Sequence, residues 1–200
     1  RRLHRRVVRL GTYNGLSQQL LKLTCPGVPD VYQGTETWDL SLVDPDNRRP
    51  VDWAARREML RTLPTEPPRP DHPCAKMFVT RVALLQRRAD PELFRDGSYV
   101  PLDVVGPRAR HVVSFARIRE GRVAIVAVPR LVASILGARN PWADTWVTLP
   151  DEVAEAIPEG DGLRDAFSGE RRRVIPREGA TAFAVEALFA RFPLALLVPS

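Results

Sequence analysis

The hydrophobic period of the chain changes near Gly97, and that change limits the folds open to it. Before Gly97 apolar residues recur every third or fourth position, as on the buried face of a helix; after it they alternate, as on a strand. Phe78, Val82 and Leu85, widened by Ala75, Met77, Val79 and Ala89, predict a helix over 75–89 with Arg81, Arg87 and Arg88 in solvent. A Pro-initiated turn of helix at 90–94 closes it. Leu3, Val7, Val8 and Leu10, then Leu16, Leu20, Leu21 and Leu23, predict a helical segment over 1–24 in two pieces, punctuated at Gly11-Thr12 and ended by Pro26-Gly27. Gly15 costs about 1 kcal/mol against alanine inside a helix, so it marks either close backbone packing or a helix start. Asp52 is a suitable N-cap for a helix near 52–63, with Trp53, Met59, Leu60 and Leu63 facing inward.

Beyond Gly97, strands are expected at 99–104, 111–116, 122–128, 145–149, 163–167, 172–175, 182–188 and 194–198. Turns are expected at 107–110, 119–121, 158–162 and 168–171, and Arg171, Arg172 and Arg173 read as solvated. Parallel pairing needs long crossovers, which are mostly missing, so the strands are expected to pair antiparallel and to stack as a two-sheet sandwich. The stretch 129–144, with Leu131, Val132, Ile135 and Leu136, reads as a short helix or an irregular insertion. Five prolines between 64 and 73 make a stiff, exposed connection.

Residues 28–32 are too few for a helix and read as a buried strand of a parallel barrel, with Pro29 at its start. The loop that follows places Gln33, Glu36, Trp38, Asp39, Asp44, Asp46, Asn47, Arg48 and Arg49 within seventeen residues. Such a mixture of carboxylates, aromatics and paired arginines is typical of binding loops carried on a rigid scaffold. Leu-Leu-Lys-Leu-Thr at 20–24, Pro-Gly-Val-Pro-Asp at 26–30, Tyr32-Gln33-Gly34-Thr35-Glu36 and the run from Asp39 to Asp52 together carry a family resemblance. The region resembles that around the eighth barrel strand of the alpha-amylase superfamily of glycoside hydrolases. Within the superfamily it is most similar to the maltooligosyltrehalose synthase family. The pattern Pro-Gly-x-Pro-x-x-Tyr-x-Gly-x-Glu marks only the superfamily, whereas Asp-Pro-Asp-Asn-Arg-Arg-Pro-Val-Asp is specific. Gly15, where a serine is more usual, and Val31 and Thr37 are mild departures.

The resemblance implies an α+β fragment. Residues 1–95 would be the last beta/alpha unit or units of a (β/α)8 barrel, and 96–200 a C-terminal antiparallel β-sandwich. In the family the nucleophile, acid/base and third carboxylate lie on or after strands four, five and seven, and the motifs that hold them are absent here. No catalytic residue is therefore assigned, and the fragment is expected to be inactive alone. It would supply part of a maltooligosaccharide site. Asp44, Asp46 and Asn47 would bond sugar hydroxyls, Arg48 and Arg49 would clamp a hydroxyl or a carboxylate, and Tyr32 and Trp38 would stack on a pyranose or simply pack. Gln33, Gly34 and Glu36 would brace the loop. No cofactor is implied.

Other classes are disfavoured by the residues. The formal charge is +6, carried almost wholly by arginine, with Lys22 and Lys76 the two lysines. The positive charge is dispersed, and no zinc-finger spacing or aromatic RNA-binding strand accompanies it, so no nucleic-acid partner is expected. His4, His72 and His111 lack metal-ligand spacing, and Gly34-Thr35-Glu36 is no phosphate loop. Cys25 and Cys74 imply no disulfide framework. Neither a signal peptide nor a membrane span is recognisable, which makes the cytoplasm the expected location. Asp151, Glu152 and Glu159 read as surface acids. Two rival readings remain: part of another superfamily hydrolase, or a non-catalytic carbohydrate-binding or structural module. A binding module should expose a row of aromatics on one sheet face. As a fragment, the chain is expected to expose apolar surface over 1–60 and to self-associate.

Overall fold

The computed structural model describes residues 1–158, 162–177 and 179–199. Four helices come first: α1 (Arg2–Thr24), α2 (Trp53–Arg61), α3 (Ala75–Ala89) and α4 (Pro91–Asp96). Ten strands follow: β1 (Ser98–Pro101), β2 (Val104–Val105), β3 (Val112–Arg119), β4 (Arg122–Pro129), β5 (Trp146–Leu149), β6 (Leu163–Asp165), β7 (Arg171–Arg172), β8 (Ile175–Arg177), β9 (Ala180–Ala184) and β10 (Ala195–Val198). Two short helices, α5 (Asp151–Glu155) and α6 (Val185–Leu188), lie among them. The strands form a six-stranded sheet, in the order β1-β3-β4-β10-β6-β7, and a four-stranded sheet, in the order β2-β5-β9-β8. Every pairing between described strands is antiparallel.

The six-stranded sheet is the middle of three layers. Along β4, Ala124, Val126 and Val128 share one core with Leu16, Leu20 and Leu23 of α1 and Phe78 and Val79 of α3. Val123, Ile125 and Ala127 point the other way, into a second core with Val147, Leu149 and Phe183 of the smaller sheet. Burial on both faces is why β4 reads as an unbroken apolar run rather than an alternation. β3 and β4 meet in a two-residue turn whose Glu120 (φ 49°) and Gly121 (φ 73°) are both left-handed, as a tight hairpin requires.

Several elements differ from the sequence expectation. Residues 2–24 form one helix, because Leu16, Leu20 and Leu23 pack continuously and Gly11 meets no competing contact. Gly15 lies inside it as a packing glycine: a Cβ there would come within 3.0 Å of the Trp38 ring. Residues 28–32 form no strand, since no described strand lies beside them to pair with, and Val28 is 94% exposed. Asp52 does cap α2, accepting from the Ala55 amide at 2.9 Å, yet α2 buries none of its residues. Trp53 and Leu60 therefore lie open where an inward face was expected, and Leu85 and Ala89 of α3 are exposed too.

In the sandwich, the strand expected at 99–104 divides into β1 and β2, and that at 172–175 into β7 and β8, one in each sheet. These crossings carry the chain between the layers. The expected strand at 182–188 ends at Ala184 and turns into α6, while α5 forms where only surface acids were read. Within 129–144, β4 ends at Pro129 and the remaining regular structure is one 3-10 turn, Val132–Ser134. Arg172 is buried and paired with Glu170 at 2.8 Å, not solvated. Part of the turn expected at 158–162, and Glu159 with it, lies outside the described residues.

Two arginines fix the exit of α1. Arg117, on β3, has no exposed surface and donates to Thr24 O at 3.1 Å and Gly97 O at 2.6 Å. Arg87, expected in solvent, donates to Leu23 O at 3.0 Å and Gly27 O at 3.2 Å. Guanidinium groups are suited to this place because the last carbonyls of a helix are unsatisfied and carry the negative end of its dipole. Burial pulls both guanidinium pKa values down.

Candidate functional site

The loop that leads from α1 to α2 is shaped by polar contacts more than by burial. Thr35 turns the chain at its start, donating through its amide and its hydroxyl to Tyr32 O at 3.0 and 2.6 Å. Gly34 sits at φ 86°, buried against Val51, whose side chain would lie 3.0 Å from an added Cβ. A residue with a side chain would be strained there twice over. Trp38 packs on Gly15 and donates from Nε1 to His72 O at 3.2 Å, which ties the loop to the proline-rich connection before α3. His72 Nδ1 lies 3.0 Å from Cys74 Sγ, and burial pushes the Cys74 thiol pKa up.

Further along, Asp39 accepts from the Ser41 hydroxyl at 2.6 Å and the Ser41 amide at 2.9 Å, bonds that hold its carboxyl below the ordinary range. Asp46 opens a 3-10 turn, Asp46–Arg48, and accepts from the Leu42 amide at 2.7 Å while pairing with Arg49. Arg48 pairs with Asp44 in the same way. These short-range pairs close the loop on itself. Lys76 lies half-buried nearby; burial and then Lys22 lower its pKa, with Asp39 and Glu36 opposing them.

The fold brings Gln33, Gly34, Asp46, Asn47 and Arg49 to one polar cleft of about 480 Å³, completed by Asp39, Leu40, Ser41, Pro50, Val51, Asp52 and Arg56. Asn47 and Arg49 stand exposed at this cleft, with Asp46 half-buried beside them. Tyr32, Trp38, Asp44 and Arg48 lie outside its lining, Tyr32 with 46% of its surface exposed and Trp38 engaged in packing. Glu36 faces a different hollow, an apolar groove of about 510 Å³ between α2 and α3 lined also by Trp53, Leu60, Met77, Leu84 and Leu85. Its Oε2 is buried without a hydrogen bond, 3.8 Å from Arg56 Nε.

Arg56 is the site residue that sequence reasoning missed. It lies off the inward face expected for α2, yet it lines both hollows and donates to Gly34 O at 3.2 and 2.9 Å. No local pattern singles it out from Arg57, because its partner lies twenty-two residues back. Among the described residues, no group of three or more His, Cys, Asp or Glu is placed to hold a metal ion, and no helix is long and apolar enough to cross a membrane. Among the described residues the aromatics of the sandwich make no open row: Phe115, Phe167, Phe183, Phe189 and Phe192 are buried, Trp146 is covered by the Arg177 guanidinium at 4.6 Å, and Tyr99, 42% exposed, packs on Phe115 at 4.7 Å.

Over 92% of its length the chain is 43% identical to a Mycobacterium tuberculosis protein provisionally named a maltooligosyl trehalose synthase, and it spans 20% of that protein. The maltooligosyltrehalose synthase structure from Arthrobacter ramosus superposes with a TM-score of 0.76 at 42% identity, over 95% of this chain and 22% of that one. Another maltooligosyl trehalose synthase crystal structure shares the fold, with a TM-score of 0.61 at 24% identity over 96% of this chain and 22% of its own. No family model matches. The aligned stretch is the C-terminal region of these proteins, and the chain covers about a fifth of their length.

Proposed function

We propose that this chain is the C-terminal part of a maltooligosyl trehalose synthase and that it contributes a wall of the substrate cleft. In this reading residues 1–95 close a (β/α)8 barrel, with 28–32 as a barrel strand that forms beside its neighbours, and 96–200 are the accessory sandwich. The whole enzyme would act in the cytoplasm as a retaining transglycosylase. A carboxylate outside this chain attacks the anomeric carbon of the reducing-end α-1,4 bond, releasing glucose and leaving a covalent glucan–enzyme ester. The 1-hydroxyl of that glucose then displaces the carboxylate, giving an α,α-1,1 bond and a non-reducing product with no net gain of water.

Water competes with glucose for the ester, so the end of the cleft has to be closed and dry. The observation that carries the reading is the convergence of Gln33, Gly34, Asp46, Asn47 and Arg49 on one polar cleft, in a chain 43% identical to a synthase. Asn47 and Arg49 offer hydroxyl-bonding groups there, and Arg48 and Asp44, a paired rim outside the lining, would meet sugar only as the cleft is completed. The apolar groove with Trp53, Leu60, Leu84 and Leu85 would pack against the rest of the enzyme. In isolation that groove drives self-association, and the fragment is inactive because it holds no catalytic carboxylate pair.

Incubating the full-length polypeptide with maltopentaose tests this: a non-reducing product is expected, and glucose plus maltotetraose alone would refute it. Asn47→Ala or Arg48→Ala should raise the ratio of hydrolysis to transglycosylation. An unchanged ratio would remove the loop from the cleft wall. An accessory carbohydrate-binding module is the weaker alternative, because the sandwich lacks an open aromatic row among its described residues.

A further inference from the structure

Arg56 stands in the first turns of α2, between the polar cleft and the apolar groove, and lines both. Its Nε and Nη2 donate to Gly34 O at 3.2 and 2.9 Å, and its Nη1 reaches Asp52 O at 3.3 Å. One guanidinium therefore joins the first and last residues of the segment 34–52, which carries Asp46, Asn47 and Arg49 between them. Hydrophobic packing adds only the Val51 side chain against Gly34, because α2 buries no residue and Leu40, Leu42 and Val43 of the loop are 91, 77 and 85% exposed. The internal pairs of the loop, Asp46 with Arg49 and Asp44 with Arg48, are short-range contacts of exposed arginines, too weak to hold its shape once its ends are released.

We infer that Arg56 is the positioning residue of the cleft: it clamps both ends of the loop so that Asn47 and Arg49 are presented to the sugar without Arg56 itself being required for the chemistry. The inference rests on the reading of this loop as a maltooligosaccharide wall. A planar fork is needed, since a lysine ammonium at the same place is a point charge on a flexible stem and does not span two carbonyls with fixed geometry. Glu36, 3.8 Å away, balances the charge and lies on the groove side.

The test compares Arg56→Met, Arg56→Lys, Arg57→Met and Asn47→Ala in the full-length polypeptide, with maltopentaose as substrate. Both Arg56 variants are expected to raise KM by about tenfold, the scale of one lost charge-assisted hydrogen bond. Their kcat and thermal midpoint should match those of the parent, as should the KM of Arg57→Met, whose side chain lines only the apolar groove. Amide exchange at Leu42, Asp46 and Arg48 should accelerate in the Arg56 variants, whereas a residue serving only helix α2 would leave those amides untouched. Unchanged KM in the Arg56 variants, with KM raised in Asn47→Ala, overturns the positioning role and spares the cleft. Unchanged KM in Asn47→Ala removes the sugar-wall reading instead, and the exchange data then decide whether Arg56 holds the loop: unaccelerated amides overturn it.

Discussion

Strand β4 is buried on both faces, whereas helix α2 buries none of its residues, although each lies in a chain of ordinary apolar content. Between them they show two ways of holding a backbone. The sheet layers are fixed by burial: Phe115, Val126 and Leu196 meet α1 and α3 on one side, and Ile125 and Leu197 meet the smaller sheet on the other. Residues 25–63 touch that core only through the partly buried Cys25, Val31, Trp38 and Leu63, and are otherwise held by polar ties: Arg87 to Gly27, Arg56 to Gly34, Trp38 to His72 and Asp46 to Leu42. Burial is cooperative and robust, while polar ties are directional and individually weak in water. A region held this way keeps its donors and acceptors turned outward, which is what a sugar-binding surface needs.

The comparison breaks most easily in the core. Phe115→Ala, at a position with no exposed surface, should destabilise the fold by about 3–5 kcal/mol in urea unfolding. A loss below 1 kcal/mol would show that the helices and sheet do not share one core. Arg117→Met comes next: it leaves Thr24 O and Gly97 O without their donor and should cost about 3 kcal/mol, read from the same transition.

Asp165 gives the core a pH dependence. Its carboxyl is buried, with Ser168 Oγ bonded at 2.7 Å, and burial raises its pKa above the ordinary value. The folded protein thus holds this proton more tightly than the unfolded chain. Its contribution to stability is complete below the unfolded pKa, near 4, and is lost as pH rises through the raised folded value. Asp165→Asn cannot titrate, so its stability relative to the parent should improve between pH 4 and pH 7. A constant difference in unfolding midpoint across that range would contradict the assignment.

The smallest effect is expected at α2. Asp52→Ala removes the N-cap and should cost about 1 kcal/mol locally, visible as faster amide exchange over Trp53–Arg61. The global midpoint should not move. A drop in that midpoint would mean that α2 is coupled to the core after all.

The same contrast explains what the sequence revealed. Period and capping located α3 to the residue, found the cap Asp52 and placed the Pro-initiated turn after α3, because those signals are local. The antiparallel sandwich was legible from alternation and short turns, although the sheet switches inside 99–104 and 172–175 were not. A switch depends on which layer receives the next strand, and that is a tertiary choice. The strand expected at 28–32 fails for the same reason in reverse: its apolar run is a local signal, but a strand needs partners. In the candidate site, the density of polar groups marked the loop, while its division was hidden. Asn47 and Arg49 reach the cleft, Trp38 turns back onto Gly15, and Arg56 enters from outside the helix face that the apolar residues marked. Those outcomes are set by contacts across twenty or more residues.

The central claim is that the weakly packed loop, and not the sandwich, meets the sugar. Hydrogen exchange on the full-length polypeptide with and without maltopentaose tests it directly. The account predicts slower exchange across residues 39–52 on binding, with the strands of both sheets unchanged. Protection appearing on a sandwich face, with 39–52 unaffected, would contradict it and favour an accessory binding module.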